Sequence, residues 1–173
     1  MRLETDRLVI RPFTPADEDA AVSFFTDPDF MVWSFDGAMS PDRARARLKE
    51  LIALYEAHGF SKLAMADKNS GRLIGYCGFG LDTIEGRPTP ELGYRLINEV
   101  RGTGLATEAA RAVIADAFAR LGMDFVIATV MAPNMPSRRV LEKLGLTYRR
   151  RVMLRERELL LYRLEAPGTA SAE

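Results

Sequence analysis

The chain is poor in the residues that most often carry chemistry on their own. It holds one cysteine and one histidine in 173 residues. A single cysteine excludes a disulfide within the chain, and one histidine leaves little for zinc, which takes clusters of Cys and His. Charge of either sign is not in surplus, since 24 Lys and Arg balance 24 Asp and Glu. That balance speaks against a uniformly basic nucleic-acid binder. Apolar runs stop far short of the roughly 18 residues of a membrane helix, and Met1-Arg2-Leu3-Glu4 opens no signal peptide. What is present is ordinary globular material, 47% hydrophobic and 28% charged, too apolar for a disordered chain and of a length that suits one domain. The expectation is a cytoplasmic single domain whose chemistry uses no metal, disulfide or histidine triad.

The zero net charge hides an uneven distribution. Residues 134–163 carry nine basic and three acidic side chains, whereas residues 1–133 carry 15 basic and 19 acidic ones. The basic block, with Arg138, Arg139 and Lys143 at its start, suits either a phosphate-bearing ligand or nucleic acid, or simply a solvated face.

Turn and cap signals divide the chain into alternating elements. Leu8–Ile10 reads as an opening strand, and Thr14-Pro15 and Ser40-Pro41 each place an N-cap before a first-turn proline. Gly59 ends the second of these helices. Asn69-Ser70-Gly71 separates two strands, Leu63–Asp67 and Leu73–Leu81, as a hairpin. Thr83–Pro90, with Gly86, Pro88 and Pro90, reads as a loop, and Glu91–Ile97 as the fourth strand. A helix over Gly104–Leu121, a strand over Asp124–Val130, a helix over Pro136–Leu144 and strands over Thr147–Leu154 and Glu158–Leu164 complete an α/β domain spanning residues 1–165. Residues 166–173 read as a disordered tail.

The most informative stretch runs from Glu91 to Ala109. A strand leads into Arg101-Gly102-Thr103-Gly104, which opens directly into a helix at Leu105-Ala106. Helix N-termini present unpaired N–H groups and a partial positive charge, and glycines let a large anion approach them, so the segment is suited to a pyrophosphate. It fails as a dinucleotide fingerprint because Thr107 stands where the third glycine belongs, and no P-loop is present.

Arg101-x-x-Gly104-x-Ala106 resembles the acetyl-CoA signature of the GNAT N-acetyltransferase superfamily, and Ala106-Thr-Glu-Ala109 is similar to its ribosomal-protein N-acetyltransferase branch. Asn134-x-x-Ser137-x-x-Val140-Leu141-x-Lys143-x-Gly145 resembles the second family signature, and Glu4-Thr5-Asp6-Arg7-Leu8-Val9-Ile10-Arg11-Pro12 the opening strand of that branch. The resemblance implies a mixed, mostly antiparallel central sheet flanked by helices and splayed open at the fourth strand. It implies acetyl-CoA as co-substrate with no metal. The backbone of Leu96 and Ile97 would then pair with pantetheine, the N–H groups of Arg101, Gly102, Thr103, Gly104, Leu105 and Ala106 would hold the pyrophosphate, and Asn134 would touch the cofactor.

The implied reaction is direct attack of an amine on the thioester, which needs a proton acceptor and an acid for the departing thiolate. The family's usual tyrosine acid is replaced by Leu141, so Ser137 is the candidate acid and Glu91 the candidate base. Tyr94 reads as packing, Glu108 as a helix-N-terminus charge, Cys77 as a buried thiol and His58 as a helix-end residue. Trp33 and Phe35, in the acidic loop Asp27–Gly37, are the candidate acceptor-binding residues or else lids over the core. The favoured acceptor is a protein N-terminal amine. Alternatives are a small-molecule amine such as a polyamine, amino acid or antibiotic, and a non-catalytic acyl-CoA sensor; a nucleic-acid module ranks last. Related folds often dimerise through terminal strands, so a homodimer is a further expectation.

Overall fold

A computed structural model describes residues 1–168. Its strands are β1 (Leu3–Glu4), β2 (Leu8–Arg11), β3 (Lys62–Asp67), β4 (Leu73–Ile84), β5 (Arg87–Leu96), β6 (Phe125–Val130), β7 (Thr147–Leu154) and β8 (Arg157–Glu165), and its helices α1 (Glu18–Thr26), α2 (Pro41–His58), α3 (Leu105–Ala119) and α4 (Met135–Lys143). The strands form one sheet in the order β1-β2-β3-β4-β5-β6-β8-β7. Every pairing is antiparallel except that of β5 with β6, which is parallel and confined to Glu91 opposite Ile127. The sheet is therefore zipped on both flanks and splayed where the fourth of the strands read from sequence meets the next.

The caps explain the helix boundaries. Ser40 Oγ accepts the Arg43 N–H at 3.2 Å, Pro41 opens α2, and Gly59 closes it in the left-handed conformation, its N–H donating to Tyr55 O at 2.8 Å. At Thr14 the chain makes a single 3-10 turn over Pro15–Asp17, so α1 starts only at Glu18. The cause is Asp17, 7% exposed, whose carboxylate accepts the Thr14 N–H at 2.8 Å and both Arg11 guanidinium arms at 2.8 Å. Burial pushes that carboxyl upward, but the Arg11 and Thr14 hydrogen bonds outweigh it and hold it below the ordinary carboxylate range.

Two expectations need correction. The segment 83–90 is no loop: β4 and β5 continue through Ile84 and Arg87 around a tight turn, with Glu85 at φ 51°. Pro88 and Pro90 are tolerated because they are two apart. Both imino nitrogens face the β6 side, where no ladder needs them, while Arg87, Thr89 and Glu91 face β4. A two-residue strand, β1, pairs Leu3 with Ile10 ahead of the opening strand that the sequence marks. The expected tail begins with Ala166 N–H donating to Asp124 O at 2.8 Å; residues 169–173 lie outside the described residues.

The core lies on both faces of the sheet. The face carrying Leu92, Tyr94 and Leu96 packs against α3 and α4, while the face carrying Glu91, Gly93 and Arg95 looks toward α2 and the loop after α1. Leu8, Ile10, Leu51, Met65, Val126 and Leu141 are among the fully buried side chains of the main cluster. A smaller cluster of Ile84, Ile127, Val152, Leu154, Leu159 and Leu161 holds the β7–β8 hairpin over the end of β4. Among the described residues no helix is long and apolar enough to cross a membrane.

Candidate active site

The site grows out of the unzipped β5–β6 boundary. Ile97 N–H donates to Ile74 O on the β4 side at 3.0 Å, and its carbonyl accepts from Val100 N. Alternation along the strand turns Leu96 the other way, into the gap. Of the two residues expected to pair with pantetheine, Leu96 thus offers its N–H, whereas Ile97's N–H is already committed to β4. The Leu96 carbonyl accepts from Arg101 Nε at 3.0 Å, and the same guanidinium donates to Asp29 O at 2.9 Å, tying the strand end to the loop after α1.

Beyond a single 3-10 turn at Asn98–Val100, the chain passes through Gly102 at φ 76° and Gly104 at φ 86° into α3. Both glycines sit in the left-handed region that side chains avoid. A β-carbon on Gly102 would meet nothing within 4 Å, so that position borders open space. No side chain caps α3; its first internal hydrogen bond is Glu108 N–H to Gly104 O at 3.0 Å, and the preceding amides have no intrahelical acceptor. Arg101 N–H is spent on Asn98 O, and no backbone acceptor is found among the described residues for the amides from Gly102 to Ala106.

This loop is fastened from the start of the chain. Arg7 Nη1 donates to Thr103 O at 3.0 Å, while its Nε reaches Glu108 Oε2 at 2.7 Å. Glu108 Oε1 also accepts the Arg7 N–H at 2.9 Å and the Thr5 hydroxyl at 2.6 Å. Burial acts upward on the Glu108 carboxyl, but these bonds from Thr5 and Arg7 outweigh it and hold it low. Glu108 is therefore a tether between the β1–β2 turn and α3, more than a helix-end charge.

Two side-chain bridges span the gap, one on each face. On the α2 face, Glu91 Oε1 accepts the Thr129 N–H at 2.8 Å and, at close range, the Thr129 hydroxyl. On the α4 face, the Tyr94 hydroxyl meets Ser137 Oγ at 3.0 Å and donates to Ser137 O at 3.1 Å. Burial raises the Glu91 carboxyl, opposed by Lys62 and by the Thr129 bonds. Burial also pushes the Tyr94 phenol well up, so it stays protonated and can donate. Ser137 stands in the first turn of α4, its N–H capped by Asn134 Oδ1 at 3.2 Å, so Asn134's carboxamide oxygen serves the helix. Leu141, where the family resemblance expects a tyrosine, is 1% exposed and belongs to the core.

The remaining candidates separate cleanly. Phe35 packs on the smaller cluster with Arg155 and Arg157 stacked over its ring at 5.4 and 5.5 Å, while Trp33 is 39% exposed. Cys77 is buried, its thiol pushed up to about 12, and His58 lies against Phe60. Much of the basic block is neutralised by acids from the rest of the chain: Arg150 pairs with Glu85, Arg155 with Asp82 and Asp36, and Arg149 and Arg163 with Glu165. Arg139 and Lys143 are exposed on α4. Thr129 and the Tyr94 hydroxyl, bonded to Glu91 and Ser137, are groups that sequence reasoning did not place at the candidate site. The alternation of β6, with Val126, Ala128 and Val130 inward on one face, would have placed Thr129 beside Ile127 and hence toward Glu91.

A family model described as an acetyltransferase (GNAT) domain matches residues 7–147. The chain is 29% identical over 144 residues to the uncharacterised N-acetyltransferase YoaA of Bacillus subtilis, covering 83% of this chain and 81% of that protein. A crystal structure of an acetyltransferase from Agrobacterium tumefaciens superposes with a TM-score of 0.83 at 27% identity, covering 95% of this chain and 94% of the other. RimL, a ribosomal alpha-N-protein acetyltransferase solved in complex with coenzyme A, superposes with a TM-score of 0.80, covering 95% of this chain and 98% of its own. At 15% identity that last likeness is one of fold alone.

Proposed function

Because the chain belongs to the GNAT acetyltransferase family, whose members use acetyl-CoA, we propose that it transfers the acetyl group of acetyl-CoA to a primary amine, in the first place a protein N-terminal amine. The observation that carries this reading is the single residue pair between β5 and β6 beside an uncapped α3 entered through two left-handed glycines. A slot between strands suits an extended pantetheine arm, and free helix-start amides suit a pyrophosphate. A β-carbon on Gly102 would enter open space, which is where a bulky anion needs room. The N-terminal amine is favoured because the opening and A-T-E-A motifs resemble the ribosomal-protein branch.

When bound, acetyl-CoA supplies a thioester whose carbonyl carbon forms the new N–C bond as its C–S bond breaks. Leu96 N–H holds the arm in the gap, and the amides of Gly102 to Ala106 hold the phosphates. Glu91 receives the proton that leaves the amine, directly or through one water, and burial keeps its carboxyl basic enough to do so. Ser137, bonded to Tyr94, gives a proton to the sulfur side, and Tyr94 holds the hydroxyl in place. Trp33 and Phe35 line the approach of the acceptor from the α2 face.

A second reading, an acyl-CoA-binding sensor, is favoured by the buried Leu141 at the position of the expected acid. Thiol release on adding acetyl-CoA with N-terminal peptides, polyamines, amino acids and aminoglycosides decides between them. Turnover highest with a peptide α-amine supports the proposal; turnover with a small amine reassigns the acceptor; CoA binding with no release across the panel supports the sensor.

A further inference from the structure

Lys62 takes no part in the machinery described so far, yet it is placed at the centre of the α2 face. It leaves β3 opposite Gly78 and crosses two strands. Its Nζ donates to Gly78 O at 3.2 Å and to Glu91 O at 3.0 Å, and it makes none of the ion pairs found among the described residues. The side chain lies in a trench that exists because two residues lack a β-carbon. A Cβ on Gly93 would fall 2.5 Å from Nζ, and one on Gly80 would fall 3.3 Å from Cε. On its outer side it lines a cavity of about 290 Å³ shared with Arg47, Leu54, Asp82 and Arg155.

We infer that Lys62 is a positioning residue for acetyl transfer: its ammonium, laid across Gly80 and Gly93 and bonded to the Glu91 carbonyl, fixes the location and the charge of the Glu91 carboxylate. This rests on the reading of Glu91 as proton acceptor. The charged and titratable groups around the pair are Glu91 on β5, Asp82 and Cys77 on β4, Arg47 and Glu50 on α2 and Arg155 at the β7–β8 turn. Asp82 is already paired with Arg155, Arg47 with Glu50, and Cys77 is neutral. Lys62 is therefore the cation that answers Glu91. Burial alone drives a carboxyl toward the protonated form, which accepts nothing; a neighbouring cation restores the carboxylate. The cost falls on the lysine, which burial lowers to about 8. A lysine needed for packing alone would be replaced at no loss by an apolar chain of similar length.

Below the Glu91 midpoint the acceptor is protonated, and the charged lysine sets how low that midpoint lies. The test labels the protein with 13Cδ-glutamate and titrates the resonance that is missing from Glu91→Gln. In Lys62→Met the Glu91 midpoint rises by one pH unit or more. Gly93→Ala retains both charges but pushes the flexible ammonium aside, and it shifts the midpoint in the same direction by less. Gly93→Ala also serves if Lys62→Met does not fold. With acetyl-CoA and the best peptide acceptor, the ascending limb of the kcat/KM profile moves up in Lys62→Met by the same shift, so that at pH values below both midpoints kcat/KM falls roughly tenfold for each pH unit that the limb moves. A Glu91 midpoint unchanged in both variants overturns the role of Lys62 and leaves Glu91 as base intact. A pH–rate profile unchanged in Glu91→Gln overturns the base reading, and the role of Lys62 in transfer with it.

Discussion

Replacing Glu108 by alanine removes the fastening that joins the β1–β2 turn, the glycine loop and α3. The Thr5 hydroxyl and the Arg7 backbone N–H each lose an acceptor in a partly covered site, worth about 1 kcal/mol apiece. The Arg7 guanidinium loses its ion pair at 2.7 Å with a side chain 47% exposed, and solvent screening limits that to about 1 kcal/mol. The loss is therefore about 3 kcal/mol, or a fall in Tm of about 6–12 °C for a domain of this size. Because the folded-state carboxyl is held low, its contribution is complete above the unfolded value of about 4.3 and disappears as pH drops through the folded one. The gap between wild type and Glu108→Ala in urea unfolding should close below about pH 4. Glu108→Gln keeps an oxygen for Thr5 and Arg7 N–H and should lose only about 1 kcal/mol. Arg7 also holds Thr103 O, so calorimetry should find weaker CoA binding by the alanine variant. A Glu108→Ala protein within about 0.5 kcal/mol of wild type at pH 7 would refute the tether.

Asp17→Asn at the turn before α1 leaves Arg11 without its carboxylate and should cost about 3 kcal/mol; the Asp17 carboxyl is held low, so that stabilisation is present at neutral pH and fades on acidification, as urea midpoints across pH will show. Gly102→Val should weaken CoA binding at least tenfold by calorimetry, with about 1–2 kcal/mol lost to the left-handed backbone; full affinity would remove the pyrophosphate from that loop. Ser137→Ala should lower kcat well before it alters CoA affinity, since the Tyr94 hydroxyl still has Ser137 O as a partner, and an unchanged kcat would take Ser137 out of the reaction. Cys77, buried with its thiol raised to about 12, should resist Ellman's reagent in the folded protein and react fully in urea.

The elements with local causes were legible in the sequence. Ser40-Pro41 and Gly59 bracket α2 through contacts within one turn, and Gly104 and Asn134 open α3 and α4 in the same way. The Pro88–Pro90 segment was not legible as strand, because its tolerance depends on β6 diverging after one residue pair, a non-local fact. The candidate site divides along the same line. Gly102, Gly104, Ser137 and Glu91 stand in motifs, whereas Thr129 and Lys62 are brought to Glu91 by register, and register is set by strands far apart in sequence. The charge asymmetry misled for a related reason. Arg150 and Arg155 come from the basic block but fold onto Glu85, Asp82 and Asp36 from the acidic remainder.

The measurement that bears most directly on the acetyl-CoA site is a 1H–15N titration of the whole chain with CoA. The backbone-built site requires the largest shifts at the amides of Gly102 to Ala106 and at Leu96, with little change at Ile97, whose N–H remains on Ile74. Saturable binding that leaves those amides unmoved, or that perturbs chiefly the exposed arginines of α4 and β7, would contradict it.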